Sequence, residues 1–141
     1  MIEDFKASIE ATTSVGLTPL HCAAQHYGGY LSILILVKTY NHEVNCRDKI
    51  EATPLHFAIL KGEFKNVELL IKFGANIDAK DNLGQTPLHI AVLKIGQDPG
   101  QFDEYKNIIK ELLFNGADRS QTTRRGVTPL DMARQLEDDL E

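Results

Sequence analysis

The chain has 141 residues, enough for one compact domain or a short array of repeats. Its formal charge of −5 argues against nucleic-acid binding by bulk charge, and its two cysteines are too few for a disulfide framework. The longest apolar run, residues 33–37, is far too short to span a bilayer, and the acidic start Met1-Ile2-Glu3-Asp4 lacks a signal peptide's apolar core, so a reducing compartment, cytoplasmic or nuclear, is expected.

Along the chain one quartet recurs. Thr-Pro-Leu-His begins at Thr18, Thr53 and Thr86, and Thr-Pro-Leu-Asp begins at Thr128, with spacings of 35, 33 and 42 residues. A period of this size means one structural unit used repeatedly. The chain opens with residues 1–12, of which 5–11 align without gaps on 73–79. This segment reads as the tail of a preceding partial repeat or as an N-terminal cap. Residues 13–47 form the first full unit and 48–80 the second, which is the cleanest.

In that second unit Asp48-Lys49-Ile50-Glu51 reads as a turn. Thr53 is a good N-cap, and Pro54 suits the first helical position because its missing N–H had no partner there. Leu55, Ala58 and Ile59 give the apolar stripe of a short helix that Lys61-Gly62 ends. Phe64, Val67, Leu70 and Ile71 recur at helical spacing, so a second helix follows and Gly74 closes it. Residues 81–122 form the third unit, with an insertion at about 95–105 that Gly96, Pro99 and Gly100 mark as a loop. Phe102 and Tyr105 are its apolar handles, expected to pack back onto the stack and otherwise to act as an accessory contact. Residues 123–141 supply a C-terminal partial repeat or cap. Both ends read as fragments of a longer protein.

This turn–helix–turn–helix unit resembles the ankyrin repeat. The resemblance rests on Thr-Pro-Leu-His-x-Ala, on the pairs Gly74-Ala75 and Gly116-Ala117, and on the turn glycines Gly16, Gly84 and Gly126. It implies an all-α solenoid of stacked helix pairs with hairpin-like loops, in which neighbouring units complete each other's cores. Two positions depart from the pattern: Glu51 stands where the other turns have Gly, and Tyr40-Asn41-His42 replaces Gly-Ala. Asn41 is the residue expected to take the left-handed conformation there.

Catalysis is not expected. His21, His56 and His89 fall one per unit, and equivalent residues in packed helices sit about 10 Å apart, too far to share a metal ion. The resemblance assigns these histidines to hydrogen bonds between neighbouring turns, and Asp131 alters that link in the last copy. Cys22 and Cys46 read as small buried hydrophobes without an activating base. Residues 96–100 lack the Gly-Lys-Ser/Thr ending of a phosphate loop. No cofactor is expected.

The resemblance implies a protein partner, held on the concave side by turn tips and the exposed parts of the first helices. In this sequence those positions include Val15, Arg47, Lys49, Ile50, Leu60 and Lys61, then Lys80, Asn82, Leu83, Leu93 and Lys94, and finally Arg124 and Arg125. The stripe is basic and partly apolar, with Asp48, Glu51 and Asp81 nearby to offset it. It predicts a non-enzymatic module, a monomer, that binds an acidic protein or peptide. The alternative is a recruiting or regulatory domain of a larger protein, such as a membrane palmitoyltransferase, a channel or a ubiquitin ligase. Nucleic-acid binding is disfavoured because the face has no stacking aromatics.

Overall fold

A computed structural model describes residues 11–140, the last of them in backbone only. Among these residues there are seven α-helices and no strand: α1 (Pro19–Gln25), α2 (Tyr30–Lys38), α3 (Pro54–Leu60), α4 (Phe64–Lys72), α5 (Pro87–Gln97), α6 (Phe102–Phe114) and α7 (Pro129–Leu140). Residues 1–10, read above as a partial repeat or cap, lie outside the described residues. The helices pair as α1–α2, α3–α4 and α5–α6. First helices pack on first helices from α1 through α3 and α5 to α7, and second helices follow from α2 through α4 to α6. The array is therefore an all-α stack in which each unit lends half a core to the next.

Each first helix begins where the sequence predicts. Thr18, Thr53 and Thr86 are extended N-cap residues with proline at the following position. The buried residues Leu20 and Ala23, Leu55 and Ala58, and Leu88 and Ala91 then repeat the same inward stripe. Second helices add Ile33, Val67, Leu70, Ile108 and Leu112, all fully buried. The result is one continuous core that runs from Leu20 in α1 to Leu112 in α6 and Ala117 beyond it.

The expected loop at about 95–105 is mostly helix. α5 continues to Gln97, a 3-10 turn covers Pro99–Gln101, and α6 starts at Phe102. Leu93 to Gln97 contain no proline, so the helix runs on until Pro99 keeps the preceding Asp98 out of the helical region, at φ −129° and ψ 79°. Gly96 lies inside α5. A Cβ there would come within 2.7 Å of the Leu136 side chain, so the glycine admits close packing of α7 on α5. Tyr105 is buried in the core, not exposed on a loop, and its hydroxyl donates to Leu60 O at 3.2 Å. Phe102 stays half exposed.

Candidate functional site

Four turn tips project from the stack, and the backbone ties them in series. Lys49 N–H donates to Val15 O, Asn82 N–H to Ile50 O, and Arg124 N–H to Leu83 O, at 2.9–3.1 Å. The approach is so close that a Cβ on Gly16 would lie 2.9 Å from Lys49 N, and one on Gly84 2.8 Å from Arg124 N. Both glycines have positive φ, +81° and +75°. Glu51 keeps the same turn with φ +60°, donating its N–H to Asp48 O as Gly84 does to Asp81 O. Asn41 takes the left-handed conformation expected of it, at φ +51°.

Two of the three acidic residues at the tips, Asp48 and Asp81, are spent on the tips themselves, while Glu51 is exposed. Asp48 Oδ1 accepts from Ile50 N and Ala52 N, and Asp81 Oδ1 accepts from Leu83 N and Gln85 N. These bonds stiffen each tip and satisfy carboxylates that would otherwise face a ligand. What each tip presents outward is apolar. Val15, Ile50 and Leu83 stand at the same position in three successive units and are 54%, 50% and 58% exposed. Lys49, Arg124 and Arg125 are exposed beside them.

Below the tips the three histidines repeat one geometry. His21 Nε2 lies 2.9 Å from Ala52 O, His56 Nε2 3.1 Å from Gln85 O, and His89 Nε2 2.9 Å from Val127 O. On the other ring nitrogen, the backbone N–H of Thr18, Thr53 or Thr86 donates to Nδ1. Nδ1 is therefore the bare acceptor and Nε2 carries the proton, so each ring is neutral. Burial lowers the pKa of all three, outweighing the carbonyl hydrogen bonds that raise it. Each histidine links one unit to the next tip and has its own partners on both nitrogens. Asp131 ends the series: its Oδ2 accepts from Thr128 N and Oγ1, within its own unit.

The predicted contact residues divide into three groups. Arg47 and Lys80 hold the stack: Arg47 Nη1 donates to Glu51 O and Lys80 O, and Lys80 Nζ donates to Thr122 O. Their charge belongs first to the return loops. Asn82, Leu93 and Lys94 are half-buried. Lys49, Ile50, Leu83, Arg124 and Arg125 remain exposed on the tips, and Leu60 and Lys61 are exposed at the end of α3. The cysteines, expected to be buried, are half-buried. Cys46 Sγ sits 3.3 Å from Thr18 Oγ1, and burial pushes its thiol pKa up, away from the reactive thiolate.

Asn66 ties its unit to the one before it, a role that its repeat position does not announce. It is buried in α4, and its Nδ2 donates to Ala24 O and His26 O at the end of α1. Its place among Phe64, Val67 and Leu70 was the available signal: an amide on an apolar stripe needs partners. Tyr105 of α6 reaches back in the same way to the end of α3.

Among the described residues no group of three or more His, Cys, Asp or Glu could hold a metal ion, and no helix is long and apolar enough to cross a membrane. A search of curated proteins returned no match. Comparison with protein-family models matches residues 20–118 to ankyrin repeats in three copies. Such repeats are generally protein–protein interaction modules and typically non-catalytic. That match, the stacked helix pairs and the chain of His-to-tip hydrogen bonds agree, and the chain belongs to the ankyrin-repeat family.

Proposed function

We propose that this stack is a non-enzymatic docking module whose tips hold an acidic peptide or protein surface. The supporting observation is the row of Val15, Ile50 and Leu83, each at least half exposed at one tip position, with Lys49, Arg124 and Arg125 alongside. An apolar row inside a cationic border suits a ligand that carries both leucine-like side chains and carboxylates. The tips are fixed to each other by backbone bonds, so the surface is organised before the ligand arrives. A monomer in a cytoplasmic or nuclear setting fits the two free thiols.

The test is charge reversal where it cannot disturb the stack. Lys49→Glu, Arg124→Glu and Arg125→Glu together are expected to weaken captured acidic peptides by at least about tenfold while leaving the melting temperature unchanged. Affinity equal to wild type, measured by fluorescence anisotropy, would refute the assignment. Lys80 is left out of the set because its ammonium bonds Thr122 O.

A second reading, a recruiting or regulatory part of a larger protein, is favoured by α2. In α4 the outward positions are Lys65 and Glu68, whereas the same positions of α2 are Leu31 and Leu34, 53% and 37% exposed. A helix that is apolar on its outer side suits further covering protein. Analytical ultracentrifugation of a longer chain against this one would separate the two readings.

A further inference from the structure

The four tips are not chemically alike, and their differences run in one direction along the stack. Val15, Ile50 and Leu83 hold the third tip position in successive units, and Arg125 holds it in the fourth. The second position carries Ser14, Lys49, Asn82 and Arg124. The first position is Asp48 and Asp81 in the two middle tips but Thr123 in the last. There Thr123 Oγ1 receives the N–H groups of Arg125 and Val127 that a carboxylate receives in the middle tips. Lys49 thus stands among two acids, Asp48 and Glu51, whereas the fourth tip has two arginines and no acid. Both arginines are exposed, and neither guanidinium bonds another described residue.

The backbone bonds between tips also set the pitch of the row. Each step joins one covalent Cα–Cα link, about 3.8 Å, to one hydrogen-bonded chain spacing, about 4.8 Å. The row therefore advances by about 9 Å per unit, in keeping with the about 8–10 Å between packed helices. A β-strand turns a side chain to one side every second residue, about 7 Å on, and falls out of step with the tips. An α-helix meets the pitch only at every seventh residue, about 10.5 Å on, and sets its side chains three and four residues along over the gaps between tips. Polyproline II has three residues per turn, so every third side chain points the same way about 9.3 Å further on.

From this, and resting on the tips as the docking face proposed above, we infer that the ligand is a polyproline II segment with an apolar side chain at every third residue and a carboxylate at the next third position. The apolar side chains lie on Val15, Ile50 and Leu83, and the carboxylate lies on Arg124 and Arg125. Guanidinium groups suit a carboxylate because their paired N–H donors match its two oxygens. A carboxylate over Ile50 would meet the exposed Glu51 beside it. The ligand is therefore polar from end to end, apolar toward the first unit and acidic at the fourth.

Three fluorescein-labelled peptides of identical composition test this. The first reads Leu-Pro-Pro three times and then Glu-Glu. The second carries the Glu pair in place of the middle leucine, and the third sets its leucines at every second residue. By fluorescence anisotropy the first should bind about tenfold more tightly than either of the others. Arg124→Gln with Arg125→Gln should weaken it about tenfold and erase its advantage over the second, while Lys49→Gln changes it by less than about twofold. A paramagnetic label beside the Glu pair should broaden the amide resonances of residues 123–127 and spare those of 13–17. Equal affinity of the three peptides would overturn the spacing and the polarity yet leave the acidic docking face standing, provided charge reversal at Lys49, Arg124 and Arg125 still weakens all three alike. Tighter binding of a helical peptide with leucine at every seventh residue and the same Glu pair would overturn the conformation. No binding of any of these peptides at about 1 mM would remove the docking face together with its ligand.

Discussion

Lowering the pH should loosen this stack well before its carboxylates titrate. His21, His56 and His89 are fully buried or nearly so and neutral, with Nδ1 accepting from a backbone N–H. Burial holds the folded-state pKa values below the ordinary value of 6.5, and protonation at Nδ1 would set two N–H groups against each other. The unfolded chain then binds protons that the folded chain refuses. Stability is full above about pH 6.5 and is lost as pH falls toward the lowered folded values. Between pH 7 and pH 5.5 each unfolded-state histidine gains about 1.3 kcal/mol from protonation, so the three together remove at most about 4 kcal/mol. That is a large part of the about 5–15 kcal/mol typical of a domain. Urea unfolding at half-unit steps across this range, with the m-value constant, measures the slope. His56→Gln should reduce the slope by about a third. A flat profile between pH 6.5 and 5.5, or a rise on acidification, would refute the neutral, doubly bonded assignment.

Two further substitutions probe local geometry. Glu51→Gly should stabilise by about 0.5–1 kcal/mol, because relief of the left-handed side chain exceeds the added entropy of the unfolded glycine; urea midpoints would show it. Asn66→Ala should cost about 1–3 kcal/mol, since it strands the buried carbonyl of Ala24, while His26 O keeps the N–H of Gly29; a thermal melt is the measurement.

The periodic part of this fold was legible because local chemistry and tertiary packing agree in it. Thr-Pro sets the start of each first helix, and the histidine that follows within the same quartet makes the bond to the next unit. Glycine punctuation was less dependable. Gly16 and Gly84 are in tight turns, as read, but Gly96 is a packing contact within a helix, and its sequence neighbourhood does not distinguish the two uses. Position along the repeat placed Arg47 and Lys80 on the expected stripe. It could not reveal that their donors are taken by carbonyls 33 and 42 residues away, because those acceptors are backbone atoms common to every residue.

The division of the basic stripe has a consequence for how such a stack can change its partners. Arg47 and Lys80 repeat the same act in successive units, each donating to a carbonyl of the next return loop. Replacing them would weaken an interface that every unit beyond it depends on, since stability in a solenoid is carried by contacts between neighbours. Lys49, Ile50, Leu83, Arg124 and Arg125 carry no such burden in their side chains, because the bonds that tie their tips together are made by backbone atoms. Substitution there alters charge and shape on the docking face and leaves the ladder beneath it intact.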